Sequence, residues 1–205
     1  MHNLKLHYFD FHGGRGEVAR LAMSMGNIPF EDVRIPLTDW PAVRDDMPFR
    51  ALPVLDVDGE RVTQSNAINR FVGRLADLYP NDPLQALRCD ETMDAVEDIL
   101  TRIVPTFFIE DEAEKQATRE KLAAGPITLY LAQLQTMLAR RGGSYFADGR
   151  LTIADLKVFI WIRSLRSGTL DYVPADLPDR VAPELVGHCD RVAAQDAIVA
   201  YYAAH

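Results

Sequence analysis

Residues 50–68 constrain the fold more tightly than any other part of the chain. They read Arg-Ala-Leu-Pro-Val-Leu-Asp-Val-Asp-Gly-Glu-Arg-Val-Thr-Gln-Ser-Asn-Ala-Ile. The apolar and β-branched residues of 54–57 suit a short strand, Asp58-Gly59 is a hairpin turn, and 60–63 can return antiparallel. After Gln64-Ser65 the period changes, and Ile68, Phe71, Val72, Leu75 and Leu78 fall at helical spacing. Ser65 stands where an N-cap belongs, so unpaired N–H groups and the positive end of the helix dipole meet there, a ready place for a carboxylate. Pro53 cannot donate to a ladder and belongs at a strand start or an edge. A cis Leu52–Pro53 bond would turn the Leu52 backbone toward an extended ligand. Only about 5–6% of such bonds are cis, so local physics favours trans.

The segments before the hairpin complete a sheet. Leu4, Leu6 and Tyr8 alternate with polar neighbours as a first strand, which His12-Gly13-Gly14 breaks. Val18, Leu21, Ala22 and Met25 then mark a helix stopped at Gly26-Asn27. Residues 30–35 read as a second strand, and a helical crossover makes it parallel to the first. Residues 37–47 are irregular or briefly helical around Trp40-Pro41. Together these predict a small mixed sheet with helices packed on it.

Tyr79-Pro80-Asn81-Asp82-Pro83 is a break, and the chain beyond it reads as helical. The expected domains are therefore 1–78 and 84–205. One long helix is predicted over 84–112 with a kink at Pro105, and a second over 114–141 interrupted at Gly125-Pro126 and ended by Gly142-Gly143. Thr152 and Asp155 have the spacing of a capping box, with Leu151 and Leu156 as a staple. The helix they start, rich in Val158, Phe159, Ile160, Trp161 and Ile162, is the expected buried centre of this domain. Helices over 178–187 and 189–203 finish the chain.

Composition excludes several function classes. The formal charge of −8, with one adjacent basic pair at Arg140-Arg141, argues against nucleic acid. No apolar run approaches the length of a membrane helix, and the first residues lack a signal-peptide core. Cys89 and Cys189 are the only cysteines and form no Cys-x-x-Cys pair, which points to a reduced, cytoplasmic protein with inert thiols rather than a disulfide reductase. His7, His12 and His188 have no partnered nucleophile and read as strand, turn and helix-surface residues.

Taken in order, His7-Tyr8-Phe9, Arg15-Gly16-Glu17, Thr38-Asp39-Trp40-Pro41, 51–55 with Asp58-Gly59, Gln64-Ser65 and the capping stretch 151–156 resemble a glutathione transferase, most closely the sigma class. The resemblance covers essentially the whole chain. It implies an α/β thioredoxin-like N-terminal domain binding glutathione, with a mixed four-stranded sheet. It also implies an all-α C-terminal domain carrying an apolar co-substrate site, a homodimer, and a cis Leu52–Pro53 bond. Glutathione would be a co-substrate, and no metal is required.

The same resemblance assigns roles that the residues alone leave open. Tyr8, by itself a strand tyrosine with its hydroxyl at the surface, becomes the hydrogen-bond donor to the glutathione sulfur. Gln64 and Ser65 would hold the γ-glutamyl carboxylate, and Leu52, flanked by Ala51 and Pro53, would pair its backbone with the cysteinyl part. Trp40 and Arg44 would face the glycyl carboxylate, although Trp40 as plain core is an equal reading from the residues. Asp98, in an acidic helix face that is ordinarily just solvated, would reach across the dimer to the glutathione amino group. Asp94 and Glu97 sit within a turn of it, where some relatives hold a divalent cation. Phe9, Leu100 and Val104 would line the electrophile site.

Two departures stand out. The usual spacing from the tyrosine to Arg-Ala-Glu is one residue shorter; here Gly13-Gly14 adds a residue and Gly16 replaces alanine, which leaves the role of Arg15 open. Arg44 stands where lysine is common, and a guanidinium binds a carboxylate equally well. The implied activity is conjugation of glutathione to apolar electrophiles. The competing readings are a glutathione-dependent isomerase or peroxidase of the prostaglandin-isomerase kind, and a non-catalytic ligand-binding dimer.

Overall fold

The computed structural model describes residues 2–204, which fall into two compact units: Met1–Tyr79 with Asp196–His205, and Pro80–Gln195. The first unit's main segment ends at Tyr79, and the final helix groups with it rather than with the helical unit.

In the first unit, β1 (Leu4–Phe9) leads through α1 (Gly14–Met25) to β2 (Glu31–Ile35). After the short α2 (Trp40–Val43) come β3 (Val54–Val57), β4 (Glu60–Val62) and α3 (Ser65–Leu75). The sheet order is β2-β1-β3-β4: β1 is parallel to β2, as the helical crossover requires, β3 is antiparallel to β4, as the hairpin requires, and β1 pairs antiparallel with β3. Asp58 and Gly59 both take positive φ, 53° and 93°, which gives the primed turn that matches strand twist. Leu4, Leu6 and Tyr8 are buried on one side of β1 while Lys5, His7 and Phe9 alternate on the other. The second side is covered near Phe9 by a cluster of Ile35, Met47 and Val54, against which Trp40, Val43 and Leu52 pack. The final helix, α10 (Asp196–Ala204), packs on α1.

The start of α3 differs from expectation. Ser65 is the first helical residue, and Gln64 occupies the cap at φ 73° without a side-chain cap hydrogen bond. A non-glycine residue held in that region marks a backbone that its surroundings over-determine. The Leu52–Pro53 bond is cis.

The second unit is helical, but its helices are shorter than the periodicity predicts. The first, α4 (Pro83–Ile103), gives way to a 3-10 turn (Val104–Phe108), because Pro105 cannot continue the ladder. Asp111 then caps α5 (Glu112–Leu122), accepting from Glu114 N–H. The predicted interruption at Gly125-Pro126 is a π-helical turn (Ala123–Ile127) leading into α6 (Thr128–Arg140). The two last predicted helices are also re-cut. Pro183 ends α8 (Leu177–Val181) and opens α9 (Pro183–Ala193), a first-turn role that proline fits.

At the centre lies α7 (Ile153–Arg166), buried along nearly its whole length, with the predicted capping box formed. Asp155, fully buried, accepts from Thr152 N–H at 2.8 Å and Thr152 Oγ1 at 2.7 Å through one oxygen. Its other oxygen accepts from Phe146 N–H at 3.0 Å and lies 2.9 Å from Nε2 of buried His188. His188 is thus an interior residue, not the surface one its position suggests. Removing this carboxylate leaves several buried donors unanswered, each worth about 1–3 kcal/mol. Asp155→Ala is expected to destabilise the fold by at least about 3 kcal/mol. A urea midpoint unchanged from wild type would contradict that.

Candidate functional site

The best-built polar feature of the first unit is where β1 meets the start of α1. Tyr8, only 5% exposed, accepts a hydrogen bond on its hydroxyl from Arg15 N–H at 2.8 Å. Burial pushes its pKa up, opposed by the N–H groups of Arg15 and Gly16 and by the charges of Arg15 and Arg20. A hydroxyl that accepts from a backbone amide still has its own proton to donate. The phenol therefore stays protonated through the neutral range and can offer that proton to an anion.

Aromatic rings flank Tyr8. Phe9 and Phe11 lie 5.4 and 5.7 Å from it between ring centroids, and Phe9 stacks nearly parallel to Phe11. Trp40 meets Phe9 edge-on at 5.4 Å. Trp40 is half-buried, packed against the cluster and partly accessible.

Behind Tyr8 lies a buried polar group to which the sequence motifs assign no role. Arg20 is fully buried, with its guanidinium carbon 5.5 Å from the Tyr8 ring centroid. It donates to Asp32 at 2.9 Å, to the carbonyls of Phe9 and Phe11 at 3.1 Å each, and more weakly to buried Glu17 at 3.5 Å. His12 Nδ1 lies 3.1 Å from Glu17. The one sequence hint was an acid and a base three residues apart on the apolar face of α1.

The remaining predicted residues of this unit occupy two further places. Arg44 is exposed and 3.6 Å from Asp45, Ala51 is exposed, Leu52 is half-buried in the Met47 cluster, and Pro53 is buried directly before β3. Gln64 is exposed at its positive φ, with Ser65 buried behind it at the start of α3. Arg15 is half-buried in the first turn of α1. In the second unit, Asp98 is exposed on α4, Leu100 is half-buried on the same helix, and Val104 is half-buried at its end.

The idea of a cation at Asp94, Glu97 and Asp98 meets a competing partner. Glu97 accepts from Lys157, itself 2% exposed, at 2.7 Å. Among the described residues no three acidic, histidine or cysteine side chains are grouped to hold a metal ion, and no helix is long and apolar enough to cross a membrane.

Residues 4–74 match the family model described as "Glutathione S-transferase, N-terminal domain", and residues 97–205 the model described as "Glutathione S-transferase, C-terminal domain". The chain is 33% identical to glutathione S-transferase 1 of Ascaris suum, over 86% of this chain and 87% of that one. It is 32% identical to the hematopoietic prostaglandin D synthase of Gallus gallus, over 98% and 96% of the two. A solved prostaglandin synthase D from Nilaparvata lugens superposes with a TM-score of 0.87 at 30% identity, covering 98% of this chain and 96% of that one.

Both thiols are inert by their surroundings. Cys89 and Cys189 are buried, and desolvation pushes each pKa up to about 12. Since only the thiolate reacts, iodoacetamide at pH 8 is expected to leave the native chain unmodified and to label both cysteines once urea unfolds it. Alkylation of either in the native chain, read by mass spectrometry, would contradict this.

Proposed function

The chain belongs to the glutathione S-transferase family, and from that premise we propose that Tyr8 hydrogen-bonds the sulfur of bound glutathione and holds it as a thiolate for attack on apolar electrophiles. The observation that carries this reading is the hydroxyl itself, anchored by Arg15 N–H at 2.8 Å and left with one proton to give. A free thiol titrates near about 8.5, so lowering it by about two units requires about 2.7 kcal/mol of preference for the charged form. One hydrogen bond to a charged group supplies about 1.5–3 kcal/mol, so a single hydroxyl is of the right size.

The chemistry then needs no covalent enzyme intermediate. The thiol proton leaves to solvent, the sulfur lone pair forms a carbon–sulfur bond to the electrophile, and the leaving group departs with its electron pair. Gln64 and Ser65 take the γ-glutamyl carboxylate at the start of α3, where the positive end of the helix dipole favours an anion. Leu52, between Ala51 and Pro53, aligns the cysteinyl backbone. Trp40, Arg44 and Arg15 supply the indole N–H and cations for the remaining carboxylate and the site mouth. Phe9 in the first unit, and Leu100 and Val104 in the second, are the apolar residues assigned to the co-substrate. In this reading the protein is a sigma-class-like cytoplasmic homodimer, and the partner's Asp98 meets the glutathione amino group.

A second reading has specific support, since the relatives include proteins named prostaglandin D synthase at about the same identity as the transferases. The same thiolate could open and re-form a ring in an isomerisation with no net conjugation. Assays with aryl halides, hydroperoxides and prostaglandin endoperoxides distinguish the two: a fast isomerisation beside feeble conjugation would favour the second.

The test of the tyrosine is direct. Tyr8→Phe is expected to raise the pKa of the bound glutathione thiol, read from thiolate absorbance, by about one to two units, and to slow conjugation at neutral pH about 10–100-fold. The pH–rate midpoint should move up with it, because the rate follows the thiolate fraction, which is lost as pH falls through that pKa. An unshifted midpoint would remove Tyr8 from the mechanism.

A further inference from the structure

Gly14 and Gly16 stand on either side of Arg15, in the first turn of α1. An ideal Cβ at Gly16 would lie 2.3 Å from Tyr8 Cγ, 2.5 Å from Cδ1 and 2.8 Å from Cβ. These atoms form the root of a buried ring, which has nowhere to turn. A Cβ at Gly14 would lie 2.3 Å from the Tyr8 hydroxyl oxygen and 3.3 Å from its ring carbon Cζ, and Gly14 itself sits at φ 65°. By contrast, nothing lies within 4 Å of a Cβ at neighbouring Gly13. Gly13 therefore needs glycine only for its φ of 119°, whereas at Gly14 and Gly16 bare backbone is needed for the room it leaves to Tyr8.

We infer that Gly14 and Gly16 are positioning residues for the Tyr8 hydroxyl: they form a side-chain-free cradle that lets the phenol lie flat on the first turn of α1 and reach Arg15 N–H. The inference rests on the proposed role of Tyr8 and adds to it. The hydroxyl's anchor is a backbone amide, so its location follows how closely β1 and α1 approach. Hydrogen bonding is steep in distance and angle, and a shift of a few tenths of an ångström along this contact degrades the bond from Arg15. The extra residue at Gly13-Gly14 and the glycine at position 16 then belong together as one device, the first letting the chain turn and the second letting the ring come close.

The experiment compares wild type, Gly14→Ala, Gly16→Ala, Tyr8→Phe and the double variant Gly16→Ala/Tyr8→Phe. Each is measured for glutathione affinity by calorimetry, bound-thiol pKa by thiolate absorbance, and fold by circular dichroism. Each glycine variant is expected to bind glutathione within about threefold of wild type while its thiol pKa rises by about one unit, tenfold less thiolate well below the pKa. In the Tyr8→Phe background, Gly16→Ala should add no further rise. If Gly16→Ala does not fold, Gly14→Ala decides, since its Cβ meets the hydroxyl end of the ring rather than the root.

Thiol pKa values unchanged in the folded glycine variants, beside a raised value in Tyr8→Phe, would overturn the cradle and leave the tyrosine in place. Loss of folding in both glycine variants would also overturn it, making the glycines a requirement of the fold alone. An unraised value in Tyr8→Phe itself would instead sink the catalytic reading on which the inference stands.

Discussion

The first unit depends on one buried guanidinium. Arg20 lies on α1 with no exposed surface, yet every direction of its charge is answered by Asp32, Glu17 and the carbonyls of Phe9 and Phe11. Those two carbonyls belong to the end of β1 and the loop beyond it, so the side chain fastens the strand–helix corner from inside. A buried ion pair adds little net stability against an apolar substitute, but losing one partner of it costs about 3–5 kcal/mol. Such a group therefore serves geometry more than stability. It fixes the corner on which Tyr8 sits, and its Cζ lies 5.5 Å from the Tyr8 ring.

Burial and hydrogen bonding pull the Tyr8 phenol in opposite directions, and the outcome is chemically useful. Desolvation favours the neutral form, the Arg15 and Gly16 amides favour the anion, and burial wins, leaving the pKa raised. A phenol that ionised easily would present a negative oxygen to a thiolate and repel it. One that made no amide contact would have no fixed position. The observed balance gives a neutral donor in a set place, which suits a single hydrogen bond to a charged sulfur.

Much of the fold could be read from the chain because the signals were local. Period-two alternation, Asp58-Gly59 and a helix between two strands suffice for the parallel β1–β2 pair and the β3–β4 hairpin, and Thr152 with Asp155 suffices for the start of α7. The helix ends were harder. Pro105 and Pro183 each stop an apolar pattern that runs on past them, so periodicity alone overshoots. Position 64 was hidden for another reason, since nothing in Gln64-Ser65 announces a glutamine at φ 73°. The pair of glycines beside Arg15 could be seen in the sequence, but what they face could not, because the ring arrives from the preceding strand, six and eight residues earlier.

That last juxtaposition also resolves a conflict at the start of α1. Gly13, Gly14 and Gly16 are poor helix formers, each costing about 1 kcal/mol relative to alanine inside a helix, and the cap at Gly13 has no side chain to answer the first N–H groups. A local reading would place the helix start later, near Glu17. The helix nevertheless begins at Gly14, and the Tyr8 hydroxyl accepts from Arg15 N–H, the second helical residue, where an N-cap side chain would ordinarily bond. The cap of α1 is thus supplied by a different element, and the residues that weaken the helix are the ones that make room for it. Local rules broken in one place and answered from another are the mark of a site held for function. Here the same oxygen completes a helix and presents a proton, so the integrity of α1 and the placement of the donor are a single structural fact.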